Sequence, residues 1–372
     1  MSEARAIVVA AGGTGGHLFP AAALAAALNA RGAPVELVAD ARALRYGGEF
    51  PARATHIVHS ATPTASGAFA KARAAAILAG GVVVALALFK RLKPRAVVGF
   101  GGYPTAPPLT AAWLLGLPSV LHEQNAVIGR ANRFLAPRVT AIASGFPDLK
   151  GVAPALRAKT RFTGNPVRPA VIIAAATPYP AFDGGRLDLL ITGGSQGARV
   201  MADVVPEALA LLEPDERARI RLTLQARGED KGRAAAACAR LSFPVELAEF
   251  FPDLPARIAR AHLVVGRAGA STVSELAAIG RPSILVPFPH ALDQDQAANA
   301  AILAASGAAT VVPQPEFTPQ RLADLIRGAL ADPPALAKAA AAAKAAGVAD
   351  AADRLADLVL GIALPAPQDA RR

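Results

Sequence analysis

Two stretches of the chain repeat the same order of apolar and polar positions. In the stretch 263–299, an apolar run breaks at Gly266 and Gly269, small hydroxyl residues start a helix, and a second apolar run ends in a polar loop. This order predicts strand, tight turn, helix, strand and polar loop, which is half of a nucleotide-binding fold. The stretch 96–132 follows the same order and closes on a polar loop at 123–125.

A second pair of stretches, 6–28 and 187–209, opens on an apolar run, a glycine-rich turn and an alanine- and leucine-rich segment. In the first of them the pattern predicts a strand at 6–10, a turn at 12–16, a helix at 20–30 and a strand at 35–39. Pro20 and Gly32 are residues typical of the two ends of a helix. The two pairs together predict an α/β protein of two tandem Rossmann-like domains that face each other across a cleft.

Two prolines interrupt the pattern in the segment 164–169 and mark the predicted boundary between the domains. We expect a first domain at 1–165 and a second at 166–335. The alanine-rich tail is expected to form a helix at about 340–364 that packs back onto the first domain.

Glu275 has two interpretations from its own stretch of sequence. The helix start after Gly269 offers free backbone N–H groups and the positive end of a helix dipole to an anion. One turn further on, Glu275 is placed to accept hydrogen bonds from a sugar diol. It is equally consistent with an ordinary solvated carboxylate near a helix start.

The glycine-rich turn G-G-T-G-G-H at 12–17 is not a dinucleotide fingerprint, because Leu18 stands where the last glycine should be. It also lacks the lysine of a P-loop. What remains is a turn lined by N–H groups that suits an anion, with Thr14 and His17 beside it. His17 is either a general base or a structural hydrogen-bonding residue. Ser195, in G-G-S-Q-G, belongs to a second such turn, so we expect two phosphorylated ligands or one long one.

Composition and charge narrow the class of partner. The chain has 372 residues, one cysteine and 18% charged residues, which is typical of a globular protein in a reducing compartment. Residues 1–165 contain 18 Lys and Arg against 6 Asp and Glu, whereas residues 166–372 contain 21 against 22. The basic first half predicts an anionic partner. Nucleic-acid-binding signatures are missing, so an anionic membrane surface is the better candidate.

The segment 74–89 has 16 uncharged residues between Arg73 and Lys90 and is followed by further basic residues. It is shorter than the roughly 20 apolar residues of a membrane-spanning helix. Two interpretations remain: a helix or loop that dips into the membrane interface, or an ordinary buried core helix. No motif with metal-ligand spacing is present, so neither a metal nor a cofactor is expected.

Six motifs, in order along residues 12–289, resemble the MurG family of bacterial cell-wall glycosyltransferases. They are GGTGGH at 12–17, GFGGYPTAPPL at 99–109, HEQNAVIGRANR at 122–133, TGNPVRP at 163–169, GGSQGAR at 193–199 and GRAGASTVSELAAIGRPSILVPFP at 266–289. The resemblance implies a GT-B fold and a hexosyltransferase of peptidoglycan synthesis. It implies inverting transfer of N-acetylglucosamine from UDP-N-acetylglucosamine to the C4 hydroxyl of the muramyl sugar of lipid I, giving lipid II and UDP.

The same resemblance implies roles for individual residues. Thr14, Gly15 and Gly16 would border the donor sugar and the acceptor pyrophosphate, and His17 is the first candidate for the catalytic base, with Glu123 and Tyr103 as neighbours to test. The implied donor contacts are Asn125 and Arg168, Ser195 at the phosphates, Phe251 at the uracil, Ala270, Ser271, Thr272, Val273 and Ser274 around the nucleotide, Glu275 at the ribose hydroxyls, and Gln296 at the sugar.

The resemblance also implies a peripheral protein attached to the cytoplasmic face of the cell membrane through its first domain. The implied partners are UDP-N-acetylglucosamine, lipid I, which is undecaprenyl-pyrophosphoryl-N-acetylmuramyl pentapeptide, and the anionic membrane surface, with no nucleic acid. Two rival hypotheses stay open. One is a UDP-sugar transferase with another acceptor, and the other is a nucleotide-sugar-binding regulator or a basic nucleic-acid-binding protein.

Overall fold

The computed structural model of the chain describes residues 5–12, 15–42, 50–61, 67–194, 197–241, 243–291 and 294–365. It divides the chain into two compact units. The first is formed by Met1–Arg168 with Ala349–Arg372, and the second by Pro169–Val348. Each unit is α/β and is built around one parallel sheet, so the predicted class of fold is confirmed.

The first unit alternates strands and helices along the chain. Its elements up to the linker are β1 (Ile7–Ala10), α1 (Gly15–Ala30), β2 (Val35–Ala39), β3 (Thr55–Ile57), α2 (Ala68–Leu92), β4 (Ala96–Gly99), α3 (Ala106–Leu114), β5 (Ser119–Glu123), α4 (Arg130–Leu135), β6 (Ala141–Ser144) and β7 (Thr160–Phe162).

The sheet of the first unit has the strand order β3-β2-β1-β4-β5-β6-β7. Ile7 of β1 is in register with Val35 on one side and with Ala96 on the other. The chain therefore winds outward in both directions from the β1–β4 pair. In an open parallel sheet, ligands bind at the carboxyl ends of the strands where this order reverses. That edge is occupied by the loops after β1 and β4.

Both faces of this sheet are buried, which explains why its strands are uninterrupted apolar runs. One face packs against α1 through Leu24 and Leu28. The other face packs against α2 and α3 through Phe89 and Leu109. The sheet is thus a rigid support for the loops at its carboxyl edge.

The first helix starts earlier than the sequence pattern predicts. It begins at Gly15 rather than at Pro20, and Pro20 lies inside it. A proline in that position removes the hydrogen bond to the carbonyl of Gly16, but the helix continues because Pro20 packs in the buried interior. The predicted turn at 12–16 is therefore shorter, and Gly15, Gly16 and His17 belong to the first turn of α1.

The apolar segment 74–89 is part of α2, which is longer than the segment itself. By length and composition, α2 could cross a membrane, but it packs along α3 within the unit. A side chain at Gly81 would meet the carbonyl of His59 and the ring of Pro107, so the glycine permits the close packing. Only 28% of the most apolar 18-residue window is buried. The interpretation of an ordinary buried core helix is therefore wrong.

The second unit repeats the plan of the first. Its elements are α5 (Pro169–Ala175), β8 (Leu187–Thr192), α6 (Arg199–Ala210), α7 (Pro214–Ala218), β9 (Ile220–Gln225), α8 (Gly228–Ala239), β10 (Val245–Ala248), α9 (Leu254–Arg260), β11 (Leu263–Gly266), α10 (Ala270–Ile279), β12 (Ser283–Leu285), α11 (Asp295–Ala305), β13 (Ala309–Val311), α12 (Pro319–Ala331) and α13 (Pro333–Ala346).

The sheet of the second unit has the order β10-β9-β8-β11-β12-β13. Its order reverses beside β8, just as the order of the first sheet reverses beside β1. The loops after β8 and β11 share that edge, and these are the loops of the two glycine-containing motifs at 193–199 and 266–275. The internal repeat found in the sequence is thus a repeat of sheet topology.

A buried arginine fixes the far end of α10. Arg281 donates hydrogen bonds to the carbonyls of Ile279 and Gly280 at the end of α10, of Ala259 at the end of α9, and of Thr177. These carbonyls lie at negative helix ends, which compensate a buried cation. Burial lowers the pKa of Arg281 to about 10. The helix that begins at the second site is therefore anchored at its other end.

The tail of the chain forms two helices that belong to different units. α13 packs on α10 in the second unit. The last helix, α14 (Ala351–Ile362), packs on α1 in the first unit, where Leu355 and Val359 are fully buried. The division at 348 therefore falls between these helices, rather than before a single helix at about 340–364. Residues 166–168 group with the first unit.

Candidate active site

The loop after β4 brings the first unit's candidate residues together. Gly101 and Gly102 have φ values of 81° and 70°, a region of backbone conformation that favours glycine. A Cβ at Gly102 would lie 3.3 Å from Nε2 of His17, so the loop packs directly on the imidazole. Tyr103 follows at once, half-buried, at the start of a short 3₁₀ turn. The imidazole of His17 therefore adjoins the backbone that leads into Tyr103.

His17 lies in the first turn of α1, with its Nδ1 buried and without a hydrogen-bond partner among the described residues. Burial lowers the pKa of His17, while the nearby side chain of Gln124 and the nearby carbonyl of Phe100 oppose the shift. The imidazole is therefore neutral at pH 7, which is the form that a general base requires.

His122 lies close to His17 at the end of β5 and is completely buried. Its Nε2 contacts the carbonyl of Gly164 at 3.1 Å. A carbonyl only accepts, so Nε2 carries the proton and Nδ1 does not. Burial lowers the pKa of His122 to about 4, and the residue is neutral beside His17.

Glu123 is the most fully bonded of the three catalytic candidates. Its Oε1 accepts from the backbone N–H of Asn125 at 3.0 Å, and its Oε2 accepts from the N–H of Gly129 at 2.9 Å and from Nδ2 of Asn132 at 2.7 Å. Burial raises the pKa of Glu123, and these hydrogen bonds counteract the increase. Both carboxylate oxygens of Glu123 therefore already accept hydrogen bonds from the protein. Glu123 holds the loop 124–132 in place.

Other predicted residues of the first unit lie around this centre. Gly15 and Gly16 are the first two residues of α1, where their N–H groups have no intrahelical carbonyl to bond. Asn125 is half-buried and its Nδ2 lies 3.4 Å from Oε1 of Glu123. The guanidinium of Arg168 lies over the ring of Phe19, 4.9 Å from its centroid. Thr14 lies outside the described residues.

In the second unit, the predicted anion site lies at the start of α10. Gly269, in extended conformation, precedes the helix, and no side chain caps it among the described residues. The first-turn N–H groups therefore remain available to a ligand. Ser271, Thr272 and Ser274 are half-buried, whereas Ala270 and Val273 are buried.

Glu275 is buried in α10, with only 7% of its surface exposed. It is thus not the solvated first-turn carboxylate of the second interpretation.

The remaining predicted donor contacts lie in loops of the second unit. Phe251 follows β10 with its side chain 4% exposed and stacked on the guanidinium of Arg257, 4.2 Å from its centroid. A nucleobase would therefore meet its backbone rather than its ring. Oε1 of Gln296, on α11, accepts from the N–H of Phe288 at 3.0 Å, so a ligand contact by Gln296 would use its NH₂ end.

The glycine turn after β8 is closed tightly. A Cβ at Gly193 would lie 2.2 Å from the backbone N of Ala198, which no side chain could tolerate. The N–H of Gly194 donates to the hydroxyl of Thr192 at 3.2 Å. Ser195 itself lies outside the described residues. Among the residues that are described, no group of three His, Cys, Asp or Glu side chains is placed to hold a metal.

Sequence reasoning assigned no role to Gln124, His122 or Asn132. All three are polar residues at the end of a predicted buried strand or within the motif at 122–133, and all three are buried. A polar residue at a strand's carboxyl end is the signal that could have found them, because that edge of a parallel sheet faces ligands.

Comparison with known proteins identifies the class to which these two sheets and their loops belong. Residues 7–144 match the glycosyltransferase family 28 N-terminal domain, and residues 188–355 match the glycosyltransferase family 28 C-terminal domain. Both matched segments contain a site described above. The two sheets and their sites thus define a family 28 glycosyltransferase.

Individual proteins of known name match the chain over nearly its whole length. The chain is 55% identical over 364 residues to the UDP-N-acetylglucosamine–N-acetylmuramyl-(pentapeptide) pyrophosphoryl-undecaprenol N-acetylglucosamine transferase of Rhodopseudomonas palustris strain BisA53, covering 98% of this chain and 97% of the relative. It is 55% identical over 359 residues to the transferase of the same name from Brucella canis, covering 96% and 94%. The crystal structure of Acinetobacter baumannii MurG has a TM-score of 0.77 at 29% identity, covering 96% of this chain and 99% of that one. The chain belongs to the MurG family of transferases.

We expect Glu123→Gln to destabilise the first unit. The amide that replaces the carboxylate would present N–H groups to the donors of Gly129 or Asn125, and each unsatisfied buried group costs about 1–3 kcal/mol. Chemical denaturation should therefore give a loss of about 2–4 kcal/mol, with Asp148→Asn, an exposed change in the same unit, as the control. Full stability combined with loss of turnover would instead identify Glu123 as the base.

Proposed function

We propose that the chain transfers N-acetylglucosamine, with inversion, from UDP-N-acetylglucosamine to the C4 hydroxyl of the muramyl sugar of lipid I. The products are UDP and lipid II, a precursor of peptidoglycan. The observation on which the proposal rests is the 55% identity, over 98% of the chain, to a transferase whose name states this donor and this acceptor. The two parallel sheets of the chain each reverse their strand order once, and ligands bind beside such reversals in sheets of this kind.

The second unit is proposed to bind the donor. The uncapped N–H groups at the start of α10 suit a diphosphate, since the helix dipole adds positive potential there. Glu275, buried in the same helix, would accept hydrogen bonds from the ribose hydroxyls, and Ser195 is proposed at the phosphates. Phe251 would contact the uracil and Gln296 the sugar. The first-turn residues Ala270, Ser271, Thr272, Val273 and Ser274 would surround the nucleotide.

The first unit is proposed to bind the acceptor and to supply the base. Thr14, Gly15 and Gly16 would border the acceptor pyrophosphate at the start of α1. His17, neutral because burial lowers its pKa, would take the proton of the C4 hydroxyl as that oxygen attacks C1 of the donor sugar. Tyr103 lies beside it and is the second candidate for that role. The proton stays on the imidazole of His17, while the bond between C1 and the phosphate oxygen breaks and UDP leaves with the electron pair.

The negative charge that develops on UDP needs compensation from the protein. We propose that helix N-termini and Arg168 supply it, with Asn125 contacting the donor sugar, and that no metal or cofactor takes part. Arg168 belongs to the motif at 163–169 and is the last residue of the first unit before the chain enters the second unit at Pro169.

The transfer itself is tested by incubating the full chain with UDP-N-acetylglucosamine and a soluble lipid I analogue and measuring released UDP. We expect release that depends on both substrates and a β-linked disaccharide product. Release with a different polyprenyl or soluble acceptor, but not with the lipid I analogue, would favour the rival transferase. Salt-dependent DNA binding without affinity for the UDP-sugar would favour the regulator.

Glu275→Ala should weaken binding of the donor far more than that of the acceptor. Hydrogen bonds to a charged group contribute about 1.5–3 kcal/mol, so the Kd for UDP-N-acetylglucosamine should rise about tenfold to a hundredfold. Calorimetry with each ligand measures the two effects, and Glu207→Ala, on an exposed face of the same unit, is the matched control. Equal losses for both ligands in a folded protein would contradict the ribose contact.

We further propose that the first unit attaches to the cytoplasmic face of the membrane. Three successive, contacting helices, α2, α3 and α4, expose large apolar side chains: these are Phe69, Val83, Val84, Trp113, Leu114 and Phe134. Basic side chains accompany them, as the guanidinium of Arg138 lies over the rings of Trp113 and Phe134. Exposed apolar side chains next to basic side chains suit an anionic lipid surface. We propose this surface, and not a nucleic acid, as the anionic partner of the first unit.

Introducing charge at this surface should reduce membrane attachment. Val83 and Phe134 are 66% and 61% exposed, so the double variant Val83→Glu/Phe134→Glu should fold normally. Burying each side chain in the interface contributes about 1.5–3 kcal/mol, so binding to phosphatidylglycerol vesicles should fall at least about tenfold. Ile173→Glu, at a 74% exposed position of the second unit, is the control. Equal loss in the control, or no loss in the double variant, would contradict this surface.

A further inference from the structure

Gln124 is a buried side chain beside His17, and nothing above gives it a role in the reaction. Its Nε2 donates to the carbonyl of Phe100 at 2.7 Å. Its backbone carbonyl accepts from Nδ2 of Asn165 at 2.9 Å. Main chain and side chain are thus held by different partners, and a change of the side chain leaves the backbone bond in place.

The bond to Phe100 decides which way the amide of Gln124 faces. A carbonyl can only accept, so the NH₂ end must point toward Phe100 and Oε1 must point away from it. Oε1 is buried and has no hydrogen-bond partner within the described ranges. It lies 3.5 Å from the position that a Cβ on Gly101 would take, in the loop that packs on His17.

His17 presents the complementary group. Its Nδ1 is also buried without a partner in the described part of the chain, while its Nε2 faces the backbone of Gly102. Two unsatisfied buried polar atoms, an acceptor and a ring nitrogen, thus belong to side chains that both lie against the loop of Gly101 and Gly102. Leaving both unpaired would be costly, and an N–H on the imidazole resolves both.

We propose that Gln124 is a positioning residue for His17: its Oε1 accepts the imidazole N–H, fixes the tautomer, and leaves the lone pair of the other nitrogen for the acceptor hydroxyl. The inference rests on the proposed function in taking His17 as the base. Orientation of a base by a third group is common to enzymes with this chemistry. Here the third group is a neutral amide held by a backbone carbonyl.

The other titratable groups around His17 are engaged elsewhere. His122 on β5 donates to Gly164, and Glu123 on the same strand accepts four N–H groups. Asp40, after β2, is paired with Arg42 at 2.7 Å. The guanidinium of Arg168 lies over Phe19 on α1, and Tyr103 adjoins Gly102 on the β4 loop. The amide of Gln124 is therefore the side chain that acts on the imidazole tautomer.

The first test measures the imidazole itself, in the resting protein without substrates. Gln124→Met keeps the length of the side chain but removes both polar ends, and Gln124→Glu replaces the amide by a carboxylate. By NMR, His17 should titrate at lower pH in the Met variant and at higher pH in the Glu variant, because a carboxylate stabilises the imidazolium. The ring-nitrogen shifts of the Met variant should also report a mixture of tautomers.

The second test measures turnover. Gln124→Met should lower kcat about tenfold or more, which is part of the 10²–10⁴ that a general base contributes, with the KM for the donor unchanged. In a His17→Ala background the same substitution should cause no further loss, because the residue acts through His17. Gln320→Met, the same change on the exposed side of α12, is the control.

The inference is overturned if His17 titrates identically in the parent and both variants, whatever the turnover. It is also overturned if Gln124→Met causes the same loss with and without His17. Should Gln124→Met fail to fold, the Gln124→Glu titration decides alone. Absence of any transfer by the parent chain would contradict the proposed function, while the titrations would still report on Gln124.

Discussion

The reversal of strand order beside β1 and beside β8 is the constraint on which both sites depend. At these two points the connections leave the sheet in opposite directions, and the loops after β1 and β4, or after β8 and β11, diverge and leave a crevice. Each crevice is bordered by a helix N-terminus with unsatisfied N–H groups. The topology therefore provides two edges where uncapped helix N–H groups suit an anion, and the side chains around each edge differ.

The first crevice is organised by buried hydrogen bonds rather than by charge pairs. Glu123 collects donors from Asn125, Gly129 and Asn132 and so shapes the loop that follows β5. Gln124 then ties that loop to the end of β4 through the carbonyl of Phe100. In a buried site each of these groups must find a partner, so the network admits few alternative arrangements. The imidazole of His17 lies near Oε1 of Gln124, an acceptor of this network that has no hydrogen-bond partner among the described residues.

In the second crevice, the fixed point is the C-terminal end of α10, which lies away from the crevice. Arg281 and Lys344 donate to carbonyls at the ends of α9, α10 and α5. These two cations have helix dipoles in place of carboxylates as their compensation. These bonds at the C-terminal end of α10 hold the whole helix in position, including its N-terminal turn and the buried Glu275.

The limits of the sequence pattern are visible at particular residues. Apolar runs ending in glycine placed β1, β4, β8 and β11 correctly, because strands buried on both faces must be apolar throughout. Pro20, taken as a helix start, lies inside α1, since burial of its ring outweighs one lost hydrogen bond. The uncharged segment 74–89 proved to be the middle of a longer, half-exposed helix, because the basic residues at its ends continue the helix without breaking it.

By itself, the sequence determined the two-fold repeat of the α/β plan, the glycine positions where loops must turn tightly, the uneven charge and the family. These are local or additive properties, which follow from the order of residue types. Only the tertiary structure decided that Glu275 is buried, that the carboxylate of Glu123 is saturated, and that Gln124 adjoins His17. Burial and hydrogen-bond partnership depend on residues distant in sequence, such as Phe100 and Gln124, and the chemistry of a polar side chain is fixed only when those partners are in place.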